Sequence, residues 1–257
     1  MAMDHDDFSS DRALAFALGQ RASEVALARF RRGVATRQKP DGSLVTDADI
    51  EVERHLLEML ARERPDDAVL SEESGEHGAS SRRWIIDPID GTSYFASGRE
   101  SWGTHVALER DGQLVVGLVT RPTAAQWYWA TRGGGAHRGA LGSDTSLEVL
   151  RVSTTDDPAR ARVMSWSRQN TELEARLKAG GHWVTPILDG ALELAAGRLD
   201  ALFDDTGYAW DLAPFVLLVE EAGGRFVDHE GGRRLDRFGG WLTNGRIDAA
   251  FGVPGER

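Results

Sequence analysis

Three segments of the chain place carboxylates where an apolar run stops: Glu72 and Glu73 in SEES, Asp87 and Asp90 in WIIDPIDGT, and Asp211 in WDLAP. Taken singly, such an acid is a turn former or a helix cap. On that reading Asp211 N-caps a helix over 212–222 with Pro214 in its first turn, and Asp90 caps a short helix starting at Gly91-Thr92. Together the acids are harder to house, because like charges crowded at adjacent strand ends raise each other's pKa unless a cation lies among them. Hard divalent ions relieve that repulsion, and Mg²⁺ takes few carboxylates, completing its shell with waters and substrate phosphate. Gly91-Thr92 then supplies backbone N–H groups at a helix start, a place suited to a phosphate. Carboxylates for metal beside a phosphate-holding turn point to metal-assisted hydrolysis of a phosphate ester.

Composition narrows the chemistry further. The 257 residues fit one large domain or two packed halves, and the formal charge of −11 argues against a nucleic-acid partner. Cysteine is absent, which removes disulfides, thiolate metal sites and a cysteine nucleophile and leaves oxygen and imidazole ligands for hard cations. The seven histidines show no paired ligand spacing, and no Gly-x-Ser-x-Gly elbow occurs, so a covalent hydrolase is not expected. The start, MAMDHDDFSSDR, is polar and acidic, and no window reaches the roughly 20 apolar residues of a membrane span. The expectation is a cytoplasmic protein with no membrane partner.

The acids need elements to position them. Apolar spacing predicts a long helix over 11–32, with Leu14, Leu18, Ala22, Val25 and Phe30 in its stripe. A turn at Pro40-Asp41-Gly42 leads to Thr46-x-x-Asp49, a capping-box signal for a second helix with Leu56, Leu57 and Leu60 inward. Strands are expected at 68–70 and 84–86, then at 102–108 and 114–119 around Arg110-Asp111-Gly112, and at 126–131 before a glycine turn at 133–135. Beyond residue 150 helices at 188–196 and 212–222 alternate with strands at 199–203, 225–227 and 240–242, the second helix stopping at Gly223-Gly224. The reading is a layered α+β fold: an N-terminal half over 1–150 with the SEES and DPIDGT motifs, a C-terminal half over 151–257 with the WD acid, and one site between them.

SEES, WIIDPIDGT and WDLAPFVLLVEEAGG, with KPDGSLVTDAD upstream, resemble the inositol monophosphatase superfamily of Mg²⁺-dependent, lithium-sensitive phosphatases over residues 11–245. The resemblance implies the αβαβα sandwich shared with fructose bisphosphatases. It also implies roles. Glu72, Asp87 and the Ile89 carbonyl would hold a first Mg²⁺, Asp87 would bridge to a second completed by Asp90 and Asp211, and Glu72 with waters could hold a weaker third. Thr92 and Asp49 resemble the pair that orients and deprotonates the attacking water, with Glu73 behind the metal ligands and Gly91 and Thr92 on the phosphate. Lys39 resembles a lysine of the loop near the metals, although a solvated lysine fits its surroundings as well. The implied mechanism is in-line displacement by metal-activated water without a phosphoenzyme.

The acid that faces the substrate alcohol in the family aligns with Asp204, in FDDTGYAW, which could accept from sugar hydroxyls or pair with an ammonium group. Two departures from the family pattern count against plain inositol 1-phosphate: Tyr94-Phe95 follows the DGT motif, and 184–188 reads VTPIL rather than a Gly-Ser/Thr-Ala segment. KPDGSLVTDAD and DAVLSEES are similar to the histidinol-phosphate phosphatase branch. A small polyol or amino-alcohol phosphate is therefore expected, with a sugar, cyclitol or nucleotide phosphate as the alternative. A non-catalytic phosphate-ester-binding homologue would have lost a ligand or a water-activating residue, and each expected one is present. The family's common dimeric state implies a homodimer. Trp127, Trp129 and Trp183 suit its interface or the core equally.

Overall fold

A computed structural model describes residues 8–40, 42–167 and 171–255; Asp41, from the expected turn, lies outside them. Helix α1 (Ser9–Arg29) buries Leu14, Leu18, Ala22 and Val25. The hairpin β1 (Thr36–Gln38) and β2 (Leu44–Thr46) leads into α2 (Asp47–Glu63). Next come β3 (Ala68–Ser71), β4 (Gly75–His77), β5 (Arg82–Asp90) and the short α3 (Thr92–Ala96). Strands β6 (Gly103–Arg110) and β7 (Gln113–Arg121) flank Asp111-Gly112, whose φ angles of 51° and 77° form the turn that Asp-Gly favours. β8 (Gln126–Thr131), β9 (Gly135–Ala140) and β10 (Ser146–Val149) complete the first run. The second run is β11 (Arg162–Trp166), α4 (Thr171–Gly180), β12 (His182–Trp183), α5 (Gly190–Ala195), β13 (Ala201–Asp204), α6 (Ala209–Glu221), β14 (Arg225–Val227), β15 (Gly240–Thr243) and α7 (Asp248–Phe251).

Two mixed sheets result. Eight strands run in the order β10-β9-β8-β7-β6-β5-β3-β4, antiparallel except for the parallel β3–β5 pair. Five strands run in the order β12-β11-β13-β15-β14. Side chains on β5 alternate as pleating demands. Trp84 and Ile86 pack with Leu18 and Leu56 of the two long helices on one face, whereas Ile85 joins Val216 and Leu217 of α6 on the other. Leu202, Phe226 and Leu242 close on α5 and α6 from the second sheet, whose outer face is covered by Leu177 and Phe251 of α4 and α7. The layers are therefore αβαβα, as expected.

Burial between two sheets explains why α6 is apolar all round from Leu212 to Val219. Gly117 of β7 lets it sit close, since a Cβ there would lie 3.2 Å from the Cα and carbonyl oxygen of Pro214. Trp127 and Trp129 are core residues. They are 2% and 3% exposed, and Phe16 stacks on Trp127 with ring centroids 4.5 Å apart. Trp183 is half-buried, with the Lys178 ammonium 4.6 Å from its ring centroid. Among the described residues no helix is long and apolar enough to cross a membrane.

Candidate active site

Strand pairing delivers the acids. Parallel β3 and β5 align Ser71 with Ile86, and the Glu72 amide donates to the Ile86 carbonyl at 3.1 Å, so the loop after β3 runs beside the end of β5. The β5–β6 ladder bulges between Asp87, opposite His105, and Asp90, opposite Gly103. Gly91 then turns into α3 with φ 81°, and a Cβ there would lie 2.9 Å from both Leu188 Cδ2 and the Ser101 carbonyl oxygen. Only glycine suits that corner.

Asp87 is 1% exposed, and its Oδ1 has no hydrogen-bond partner among the described residues. Burial, together with the charges of Glu72, Asp90 and Asp211, holds Asp87 well above the usual carboxylate range. Burial and the charges of Asp90 and Glu72 do the same to Asp211. Asp90 goes the other way. Burial would raise it, but His105 and Arg121 outweigh burial and hold it low. His105 Nε2 lies 3.2 Å and Arg121 Nη2 3.3 Å from Asp90 Oδ2, while Arg121 Nε donates to Asp189 Oδ1 at 2.6 Å. Asp87, Asp90 and His105 each offer a ligand atom, all within 4.8 Å of one another. A buried carboxylate oxygen without a donor, among mutually repelling carboxylates, fits a hard divalent cation.

Asp49 enters from the start of α2. Its Oδ2 accepts from the Thr46 amide at 2.9 Å and the Thr46 hydroxyl at 2.5 Å, closing the capping box, while Thr92 Oγ1 lies 3.1 Å from Oδ1 and 3.1 Å from the Ile89 carbonyl oxygen. One oxygen is thus fixed by the helix cap and the other meets Thr92. Burial lifts Asp49 to about 6, against the opposing Thr46 hydrogen bonds. Lys39 Nζ reaches Glu72 at 2.7 Å and Glu73 at 2.8 Å. Burial would lower this lysine, but the two hydrogen bonds dominate and raise it. Burial brings Glu73 up to about 7 in spite of Lys39. Behind the loop, buried Glu53 of α2 accepts from the Ser71 hydroxyl and, at 3.0 Å, from the Glu73 amide.

A cavity of about 600 Å³ adjoins these groups. Its lining includes Lys39, Glu72, Asp90, Gly91 and Asp211, and also Asp204 with Tyr94, Trp166, Tyr208 and Trp210. Asp204 Oδ1 accepts from the Thr206 amide (2.7 Å), the Thr206 hydroxyl (2.8 Å) and the Gly207 amide (3.0 Å). Burial raises Asp204 against those bonds.

Two local expectations are corrected. Asp211 is not the N-cap of a helix over 212–222: α6 starts at Ala209, so Asp211 is its third residue and accepts from the Tyr208 amide at 2.6 Å. The extended backbone of Tyr208 starts the helix early, leaving Pro214 inside it rather than in the first turn. Nor does Asp90 cap α3. Gly91 holds that position, and Asp90 is engaged by His105 and Arg121. His105, Arg121, Asp189, Glu53, Trp166 and Tyr208 escaped sequence reasoning, whereas Tyr94 stands out in the sequence as a departure from the family pattern. His105 alone left a trace, as a polar residue inside an apolar strand.

The family model described as "Inositol monophosphatase family" matches residues 7–251. A Streptomyces griseus protein named glucose-1-phosphate thymidylyltransferase is 43% identical over 253 residues, covering 97% of this chain and 96% of its own. The histidinol-phosphatase of Mycobacterium tuberculosis is 34% identical over 248 residues, covering 89% and 90%. Among solved structures, the extragenic suppressor protein suhB from Bartonella henselae superimposes with a TM-score of 0.83 at 25% identity, covering 94% of this chain and 96% of its own. With its layers, its carboxylates and these matches in agreement, the chain belongs to the inositol monophosphatase family and is a phosphoric monoester hydrolase.

Proposed function

We propose that the chain is a Mg²⁺-dependent phosphomonoesterase for a small polyol or amino-alcohol phosphate, such as histidinol phosphate or inositol monophosphate. The single observation that carries this reading is Thr92 joined to a cap-fixed Asp49, in a chain whose buried Asp87 Oδ1 has no partner among the described residues. Glu72, Asp87, the Ile89 carbonyl, Asp90 and Asp211 would hold two Mg²⁺ ions, with a third at Glu72. When bound, such ions lower the pKa of water and stabilise the leaving alkoxide.

The remaining steps fall to the chain's own groups. Thr92 Oγ1 accepts from the attacking water and donates to Asp49, whose lifted pKa suits it to receive a proton near neutrality. Gly91 and Thr92 present backbone N–H groups to the phosphate. Glu73, held by Lys39 and by the Glu53 contact to its amide, keeps Glu72 in place. Lys39 offers charge to the phosphate, and Asp204 faces the alcohol. His105 and Arg121 keep Asp90 ionised and oriented.

The nucleotidyl transfer named for the Streptomyces griseus relative is not proposed here. Among the described lining residues Lys39 is the one cation, poorly matched to a nucleoside triphosphate. A homodimer is proposed from family habit, to be read by analytical ultracentrifugation. The deciding experiment is phosphate release from histidinol phosphate, inositol 1-phosphate, fructose bisphosphate and adenosine bisphosphate, with and without Mg²⁺. Release from at least one, only with Mg²⁺, is expected; no metal-dependent release from any of them contradicts the proposal.

A further inference from the structure

Arg121 ends β7 as a buried residue, and among the described residues two carboxylates, Asp90 and Asp189, contact its guanidinium. The two contacts are unequal. Nε donates to Asp189 Oδ1 at 2.6 Å, whereas Nη2 stands 3.3 Å from Asp90 Oδ2, longer than a charge-assisted bond usually runs. Asp189 occupies the N-cap position of α5, where an aspartate ordinarily accepts from the first helical amides. Among the described residues its side chain makes no capping hydrogen bond and goes to Arg121 instead. Space for the guanidinium is built into the neighbouring strand. A Cβ on Gly103 would fall 2.4 Å from Arg121 Nη1, which donates to the Thr120 carbonyl at 2.9 Å.

A buried guanidinium needs a counter-charge. Asp90 alone could supply it, but a carboxylate fully bonded to arginine has less to offer a cation. Resting on the reading of Asp90 as a Mg²⁺ ligand, we propose that Asp189 is a positioning residue that neutralises Arg121 and holds it back, leaving Asp90 available to metal. His105, 3.2 Å from Asp90 Oδ2, is independent of this tie. Without the Asp189 charge, Asp90 is the carboxylate that Arg121 still contacts, and the guanidinium then competes with metal for it. Asp189 also follows Leu188, which lines the catalytic cavity, so a plain supporting role for the cavity wall has to be told apart. Support is lost when either partner of the Arg121–Asp189 pair is removed. Competition ends when Arg121 is removed.

The test reads Mg²⁺ affinity rather than turnover, by calorimetry on the chelator-treated full chain. Asp189→Asn keeps the shape of a partly exposed side chain and removes its charge. It should weaken Mg²⁺ binding by about ten-fold, the order expected when a charge-assisted hydrogen bond shifts onto Asp90. Arg121→Gln should bind Mg²⁺ as tightly as the parent or more tightly, and adding Asp189→Asn to it should change nothing further. Thermal melts check that each variant folds, and Arg121→Met replaces Arg121→Gln if that variant does not. Parent-like affinity in Asp189→Asn overturns the proposal, and so does weakening by both single substitutions or a further loss in the double variant. If the parent itself binds no Mg²⁺, the metal reading of Asp90 fails and takes the proposal with it. A parent that binds Mg²⁺ while the variants break the expected pattern overturns the proposal alone and leaves that reading standing.

Discussion

Replacing Asp87 with asparagine should make the metal-free chain more stable and the Mg²⁺-loaded chain less so. Asp87 is buried, its pKa is raised by burial and by Glu72, Asp90 and Asp211, and it lies within 4.8 Å of Asp90 at their candidate ligand atoms. A carboxyl whose folded pKa exceeds its unfolded value binds more protons when folded, so it detracts from stability as pH rises from the unfolded value to the folded one. Two unit charges at this spacing repel by at most about 3 kcal/mol at an effective dielectric of about 20, and any proton the carboxyl keeps lowers that cost. Asp87→Asn should recover part of it, and each 1 kcal/mol regained raises the melting temperature of the metal-free chain by about 2–4 °C. Saturation at about 100 times Kd would stabilise the parent by about 2.7 kcal/mol, a gain the variant should lose. Differential scanning calorimetry with chelator and with Mg²⁺ reads both effects, and phosphate release should fall by at least about a thousand-fold, near 4 kcal/mol in the barrier. A variant less stable than its parent without metal, yet equally stabilised by Mg²⁺, would show that Asp87 is neither repelled by its neighbours nor a metal ligand.

Three further outcomes follow from particular contacts. Asp49 must be ionised to accept a proton, and its pKa of about 6 places loss of kcat/KM as pH falls through that region, shifted lower if bound ions offset Glu72; Asp49→Asn should remove this limb together with most of the activity. Burial would raise Asp200, but hydrogen bonds from Arg162 and Ser153 outweigh it and hold the folded pKa low. Its stabilisation is therefore present above the unfolded pKa and lost as pH falls through the folded one, so Asp200→Asn should cost about 1.5–3 kcal/mol in urea melts at pH 7 and flatten the acid dependence. Gly91→Ala faces φ 81° and two 2.9 Å contacts, and should lose about 1–3 kcal/mol of stability, read by thermal melts, along with phosphate release.

Much of the fold was legible because period and punctuation agree locally. The Asp111-Gly112 turn, the Thr46–Asp49 capping box and the glycine stop after α6 each announce themselves within a few residues. The short strands β9 to β12 did not, since two to six residues carry too little alternation to stand out. The boundary of α6 slipped for a different reason. Its apolar surface comes from burial between two sheets, so no polar face marks where it begins. Among the site residues, the acids were readable from motif order, whereas Arg121 and Asp189 meet across 68 positions and only tertiary packing joins them. Glu53 looks like an ordinary helix acid until the β3 loop folds over it. Trp166 of β11 and Trp210 of α6 likewise share one lining whose neighbourhood no spacing reveals.

Whether the carboxylate cluster works through bound metal is read by a Mg²⁺ titration of phosphate release, using chelator-treated protein acting on histidinol phosphate and inositol 1-phosphate. Chelated protein should release no phosphate, added Mg²⁺ should restore release to saturation, and Asp87→Asn should show no recovery. Release that persists after chelation, or that Asp87→Asn retains, would contradict that role for the metal.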